Sequence, residues 1–205
     1  MKHTLYIFLG KSASGKSSIM KEFVKKDDKL KRIIEITTRP KRESEEDGTD
    51  YRFVSDEEFE NGVRNKEIIG ISCYEKDKGC WKYGIQINDI RNALTNESDS
   101  VLVTNPIAFE QMVKNGILNE MNLVVVYVHR KLKERLKASI ERDTLENSEE
   151  ILHRFLRDEK DFHSEDFLSA LNEIEKTNSK CGYKRKVIHI KNNSKLIKDL
   201  IKKIK

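Results

Sequence analysis

Gly10-Lys11-Ser12-Ala13-Ser14-Gly15-Lys16-Ser17 reads G-x-x-x-x-G-K-[ST], a spacing with a definite chemistry. Its glycines allow the main chain to curl so that N–H groups converge on phosphate oxygens, and the positive end of a following helix dipole reinforces them. Lys16 would then bridge the β- and γ-phosphates of a nucleoside triphosphate, and the Ser17 hydroxyl would ligand Mg²⁺. With Ser18 next in line, Gly10–Ser18 is the candidate ATP-phosphate site. A second anion-binding pattern comes soon after, in Thr37-Thr38-Arg39-Pro40-Lys41-Arg42, with Tyr51 further on. Arg39, Lys41 and Arg42 could clamp another phosphate, because a planar guanidinium pairs two phosphate oxygens at once. Tyr51 adds a hydroxyl and an aromatic face. On spacing alone the same residues fit a solvated turn equally well.

Both patterns need elements to hold them. Short apolar runs alternate with longer charged, periodic segments, the rhythm of an α/β protein with a mostly parallel sheet. Buried strands are expected at Leu5–Leu9, Ile33–Ile36, Val101–Thr104, Leu123–Val128 and Val187–Ile190. A helix should follow Gly15, since Ile19, Met20, Phe23 and Val24 share one face. Another should start near Glu149, with Ile151, Leu152, Phe155, Leu156 and Phe162 on one side, and a last one near Ser194, with Leu196, Ile197, Leu200, Ile201 and Ile204 apolar. Residues 39–85 break the rhythm. There a polar, turn-rich stretch leads to Tyr51–Val54, a helix opened by a Ser55/Glu58 capping box, and a strand-like run near Ile68–Cys73. This reads as an excursion inserted into the core.

Composition narrows the class. The 205 residues suit one compact domain. Forty basic and 35 acidic residues, a net of +5, are interspersed rather than gathered into a basic stripe, so no nucleic-acid partner is expected. Mean hydropathy is −0.70, and no apolar run approaches the ~18 residues of a membrane span. Cys73, Cys80 and Cys181 form no C-x-x-C pair, which predicts reduced thiols in a cytoplasmic protein rather than a disulfide framework or a zinc site. A GTPase needs a base-reading N-K-x-D, but Asn65-Lys66 runs on into Glu67 and Ile68. What remains is a small kinase that moves a γ-phosphoryl group onto a second bound substrate.

The segment Ile36-Thr37-Thr38-Arg39-Pro40-Lys41-Arg42-Glu43-Ser44-Glu45-Glu46-Asp47-Gly48-Thr49-Asp50-Tyr51-Arg52-Phe53-Val54-Ser55 resembles the guanylate-kinase signature T-T-R-x-x-R-x-x-E-x-x-G-x-x-Y-x-F at every fixed position. The resemblance implies a three-layer α/β P-loop kinase with a parallel core sheet (1–34 and 86–205), an inserted nucleoside-monophosphate-binding subdomain (35–85) and a mobile lid (about 138–150). It implies ATP with Mg²⁺ as cosubstrate and GMP or dGMP as the default acceptor. Acceptor-phosphate contacts then fall on Arg39, Arg42 and Tyr51, with Glu45 in the same site, and the family's Tyr-Gly falls on Tyr83-Gly84 after a longer Glu75–Trp81 loop than is usual. Lid arginines fall on Arg135, Arg142 and Arg154, to neutralise the migrating phosphoryl group.

The match lapses where the family reads the base. Its acceptor-site serine is Glu35, its guanine-pairing glutamate falls on Gly70, its serine or threonine after Tyr-Gly is Ile85, and two strand-end aspartates fall on Val103 and Asn105. Glu75, Asp77 and Lys78, or Glu67 after a register slip, are possible substitutes. An alternative that suits these changes is a kinase of the same fold acting on another phosphorylated small molecule, such as a ribosyl phosphate. A third reading, a non-catalytic binding module, conflicts with the presence of Lys16, Ser17 and Arg142. Asn192 and Asn193 read as a turn before the final helix.

Overall fold

The computed structural model describes residues 3–43, 45–75, 79–95, 98–142, 148–177 and 182–192. Five strands form one wholly parallel sheet: β1 (Thr4–Leu9), β2 (Lys31–Ile33), β7 (Ser100–Val103), β8 (Asn122–His129) and β9 (Arg185–Lys191), in the order β2-β7-β1-β8-β9. Alternation sorts their side chains onto two faces. Leu5, Ile7 and Leu9 with Leu123, Val125 and Tyr127 join one cluster; Phe8 with Val124, Val126 and Val128 joins the other. The first cluster is completed by Ile90 of α3 (Ile87–Thr95), Phe109 and Met112 of α4 (Pro106–Lys114) and Phe167 and Ile174 of α7 (Glu165–Lys176). The second is closed by Ile19, Met20 and Phe23 of α1 (Lys16–Val24). Burial on both faces explains why these strands read as continuous apolar runs.

A second sheet has the order β4-β3-β6-β5, built from β3 (Ile36–Thr37), β4 (Arg52–Phe53), β5 (Ile68–Glu75) and β6 (Cys80–Gln86). The helix α2 (Asp56–Arg64) opens with the expected reciprocal cap, Glu58 N–H to Ser55 Oγ and Ser55 N–H to the Glu58 carboxylate, and it buries Phe59 against Ile36 and Ile68. The expected strand at Ile33–Ile36 is in fact two strands in different sheets. The chain leaves β2 after Ile33, and by Glu35 its carbonyl already accepts from Arg52 N–H at 2.9 Å. Glu35 thus sits at the crossing between the sheets. Gly70 marks a register shift in the β5–β6 pairing, with φ +65°, and a Cβ there would lie 2.8 Å from Ala108 Cβ. Only glycine allows both that backbone and so close an approach to α4.

Three expectations need correction. Cys73 and Cys80 are joined in a disulfide, because the antiparallel β5–β6 pairing brings their Cα atoms to 5.7 Å; a seven-residue separation without C-x-x-C concealed a hairpin. On α6 (Ser148–Asp161), Ile151 and Phe155 are buried and Phe162 follows just beyond, but Leu152 and Leu156 are 54% and 69% exposed. The helix packs along the narrow 151/155/158/162 stripe, so its two leucines fall outside the contact. Glu67 is exposed and does not reach the cleft described below. Asp77, Lys78, Cys181, Asn193 and the helix expected from Ser194 lie outside the described residues. No helix among the described residues is long and apolar enough to cross a membrane.

Candidate active site

The loop after β1 departs from regular structure in a way that suits anions. Ala13 and Gly15 both have positive φ (55° and 88°), and Ser14 N–H closes a turn on Lys11 O at 3.0 Å. Alternating left-handed residues turn successive amides to one side, the geometry of an anion-binding nest at the start of α1. The opposite sides of the same peptides are occupied. The carbonyls of Ser12, Ala13 and Ser14 accept from Arg135 (3.4 Å), Arg130 (3.2 Å) and Asn192 (2.7 Å) respectively. Arg130 and Asn192 stand just past the carboxyl ends of β8 and β9, where an open α/β sheet gathers its ligand-binding groups. Asn192 Nδ2 occupies the space a Cβ on Gly15 would need.

Helix α6 braces the loop from outside. Asp158 accepts from Ser12 N–H at 2.6 Å, and Glu159 pairs with Lys11 at 2.5 Å and with Arg135 at 2.9 Å. Arg135, on α5 (Leu132–Arg142), is 2% exposed and lies over the Phe155 ring. Neither Lys11 nor Arg135 lines the cleft. Sequence reasoning passed over Asp158, Glu159 and Arg130, and read Asn192 only as part of a turn, where it in fact braces the loop. The available signals were strand-end position for the last two and, for Asp158, the i,i+4 spacing that shares a helix face with Arg154.

A cleft of about 410 Å³ opens in front of the loop. Gly10, Ser12, Ala13, Lys16, Ser17 and Ser18 form one wall, and Arg39, Arg42, Glu45, Tyr51 and Tyr83 form the wall facing it. Arg39 is buried and held in place: Nε donates to Tyr83 Oη (3.1 Å), one terminal nitrogen to Pro40 O (2.7 Å), and the other to both Glu45 oxygens (2.7 and 2.9 Å), which leaves an N–H of the first terminal nitrogen for a ligand. Glu45 also accepts from Arg42 N–H at 2.9 Å. Burial pushes the Glu45 pKa up, but the hydrogen bonds from Arg39 and Arg42 outweigh it and hold the group below the usual carboxylate range. Burial drives the Tyr51 hydroxyl well above its ordinary pKa, so it is a neutral donor. Lys41, expected in this clamp, instead donates to Glu45 O on the exposed side.

Arg142 and Arg154 also line the cleft. Both stand near enough to Lys16 to act on its charge: desolvation lowers its pKa first, Asp158 opposes that, and Arg142, Glu35 and Arg154 follow. Lys21 of α1 reaches across to Asp50, beside Tyr51, at 2.7 Å. Of the positions where the resemblance implies base readers, Gly70 and Ile85 lie away from the cleft, packed in the interior. Glu35, Val103 and Asn105 line it. Asn105 caps α4 through Ala108 N–H (2.9 Å) and donates to Ser72 Oγ (3.0 Å).

An amide nest and a guanidinium clamp facing each other across one cleft, on a parallel α/β sheet, define a P-loop phosphotransferase fold with room for a phosphorylated acceptor. The guanylate kinase family model matches residues 2–182, and the chain belongs to that family. It is 32% identical to the guanylate kinase of Malacoplasma penetrans over 161 residues, covering 76% of this chain and 77% of that one. Against the Thermotoga maritima guanylate kinase it is 45% identical over 69 residues, about a third of either chain. A crystal structure of guanylate kinase from Anaplasma phagocytophilum superposes with a TM-score of 0.56 at 16% identity, covering 99% of this chain and 82% of that one, a likeness of fold.

Proposed function

We propose that this chain is an ATP-dependent nucleoside-monophosphate kinase converting GMP or dGMP, with ATP, to the diphosphate and ADP. The observation that carries this is the convergence of Lys16, Arg142 and Arg154 with the Arg39–Glu45–Tyr51–Tyr83 wall on a single cleft. Lys16 and the loop amides hold the β- and γ-phosphates. Arg39, Arg42, Tyr51 and Tyr83 hold the acceptor phosphate so that one of its oxygens lies in line with the γ-phosphorus. That oxygen forms the new P–O bond as the bond to the β,γ-bridging oxygen breaks, and the electron pair leaves on ADP. Arg142 and Arg154 neutralise charge on the migrating group, while Arg135 acts from behind by fixing the loop. An acceptor phosphate is already a nucleophile, so positioning carries most of the catalysis.

Mg²⁺ enters with ATP, and the Ser17 hydroxyl, a hard oxygen donor on the cleft wall, fits it as a ligand. When bound it would supply positive charge to the triphosphate, with Ser17 and Lys16 as this chain's own contributions there. We read the division of labour as a core of 1–34 and 86–205, an acceptor subdomain of 35–85 and a lid of about 138–150. A coupled ADP-release assay over the common nucleoside monophosphates tests the proposal. Turnover is expected with GMP and dGMP, and silence with every one of them overturns it.

A further inference from the structure

Six carboxylates line the cleft; Glu149 and Glu150 stand on the first turn of α6, and of the other four, three are spoken for. Glu45 is bonded to Arg39, Asp50 to Lys21, and Asp158 to the Ser12 amide. Glu35 differs. It is 8% exposed, its Oε1 accepts from Thr104 Oγ1 at 2.6 Å, and no hydrogen bond or ion pair among the described residues reaches Oε2. An acidic group with an open oxygen is out of place in a cleft built for phosphates, unless a neutral, donor-bearing part of a ligand comes to meet it.

Its surroundings suit such a part. Tyr74 and Trp81 of the β5–β6 hairpin line the cleft, and Tyr74 sits edge-on to Tyr83 with ring centroids 5.1 Å apart. Glu35 lines the same cleft as Tyr51, Tyr74 and Trp81, near enough to Tyr51, Tyr74 and Lys16 for its charge to act on all three. At the position where the resemblance implies a guanine-pairing glutamate, β5 has Gly70, packed on Ala108, and the neighbouring Glu67 is exposed. Resting on the kinase reading above, we propose that Glu35 is the specificity-determining residue for the acceptor base, its carboxylate accepting from the ring N–H and exocyclic amino group of guanine. Guanine offers two adjacent donors to one carboxylate. Adenine offers a ring-nitrogen lone pair at the corresponding edge, and hypoxanthine keeps the ring N–H but lacks the amino group. Burial pushes the Glu35 pKa up to about 7, opposed by the Thr104 hydrogen bond and Lys16; a ligand that donates to the carboxylate stabilises the ionised form further.

Steady-state kinetics of the full chain with GMP and with IMP, for wild type and Glu35→Gln, decide the matter. The amide should lose about 100-fold in kcat/KM for GMP, mostly through KM, and the preference for GMP over IMP should fall to within about 10-fold. Glu35→Asp, which keeps the charge on a shorter arm, should retain part of that preference and controls for a folding defect. A Glu35→Gln enzyme with unchanged KM for GMP and an unchanged GMP-to-IMP ratio overturns the assignment and leaves the kinase reading intact. A wild type inactive on GMP defeats the kinase reading instead. Calorimetric titration of wild type and Glu35→Gln with GMP then judges Glu35 alone: equal affinities overturn its role, and a large loss in the variant supports it.

Discussion

The two walls of the cleft hold phosphate by opposite means. On the loop side the binding groups are main-chain amides, and side chains serve the backs of the peptides: Arg135, Arg130 and Asn192 take three consecutive carbonyls while Asp158 takes one amide. On the acceptor side the binding groups are side chains, and the backbone and a carboxylate hold them. Arg39 is fixed by Glu45, Pro40 and Tyr83 before any ligand arrives, with one N–H kept for it. The first design tolerates change in most side chains of the loop itself. The second fails when any one member is lost, because its partners are buried and charged.

Lys16→Ala is the severest test of the loop wall. It removes the one loop side chain that must touch phosphate, and kcat should fall roughly 10⁴-fold, about 5 kcal/mol of transition-state stabilisation, with near-normal thermal stability. A variant that turns over at wild-type rate would contradict the division between the walls. Arg39→Ala strikes the other wall and should behave differently. Acceptor kcat/KM should drop roughly 10³-fold, about 4 kcal/mol, and the melting temperature should fall as well, because the half-buried Glu45 is left without its main partner. If Arg39→Ala leaves stability untouched, the clamp is not pre-organised in the way its hydrogen bonds indicate.

The same contrast explains what was legible in the sequence. The loop motif and the Arg39–Tyr51 signature are local, with each residue a fixed few positions from the next, so the nest and the clamp could be anticipated by number. The apolar runs of the core sheet were equally plain, because strands buried on both faces leave no polar alternation to misread. Three things were hidden. The switch from β2 to β3 leaves no gap in the run Ile33-Ile34-Glu35-Ile36, though the two ends belong to different sheets. The Cys73–Cys80 bridge needs the hairpin register before its two partners meet. Asp158, Arg130 and Asn192 reach the loop from 117 to 178 residues away, and no local pattern records such a contact.

Glu35, at that sheet-to-sheet crossing, sharpens the comparison through pH. Its pKa is raised from 4.5 to about 7, with burial the first cause and Thr104 and Lys16 opposing it; Tyr51 and Tyr74 are the other titratable groups that feel its charge. Between those two values the folded chain holds a proton that the unfolded chain has already released. Stability from this group is therefore full below about pH 4.5 and is lost as pH rises through 7. Glu35→Gln removes the dependence. Urea unfolding at pH 5 and pH 8 should show the variant gaining roughly 3 kcal/mol on wild type between the two. A difference that stays constant with pH would mean that the carboxylate is solvated.

The smallest effect is the most discriminating. Asn192→Ala touches no ligand in either wall; it deletes one donor to Ser14 O and leaves that carbonyl without the bond. About 1 kcal/mol is expected from a lost neutral hydrogen bond at a partly buried site. It should appear as a KM for ATP raised roughly 5-fold, because the Ser14 peptide can then swing its amide away from the phosphates. The KM for the acceptor should not change, since the Asn192 bond to Ser14 O braces the loop and not the guanidinium wall. Equal increases in both constants would show that the loop and the clamp are one mechanical unit, coupled through a contact such as Lys21–Asp50. Asn192→Asp separates loss of the donor from added space: it keeps the volume but turns an acceptor toward an acceptor, so it should weaken ATP more than alanine does.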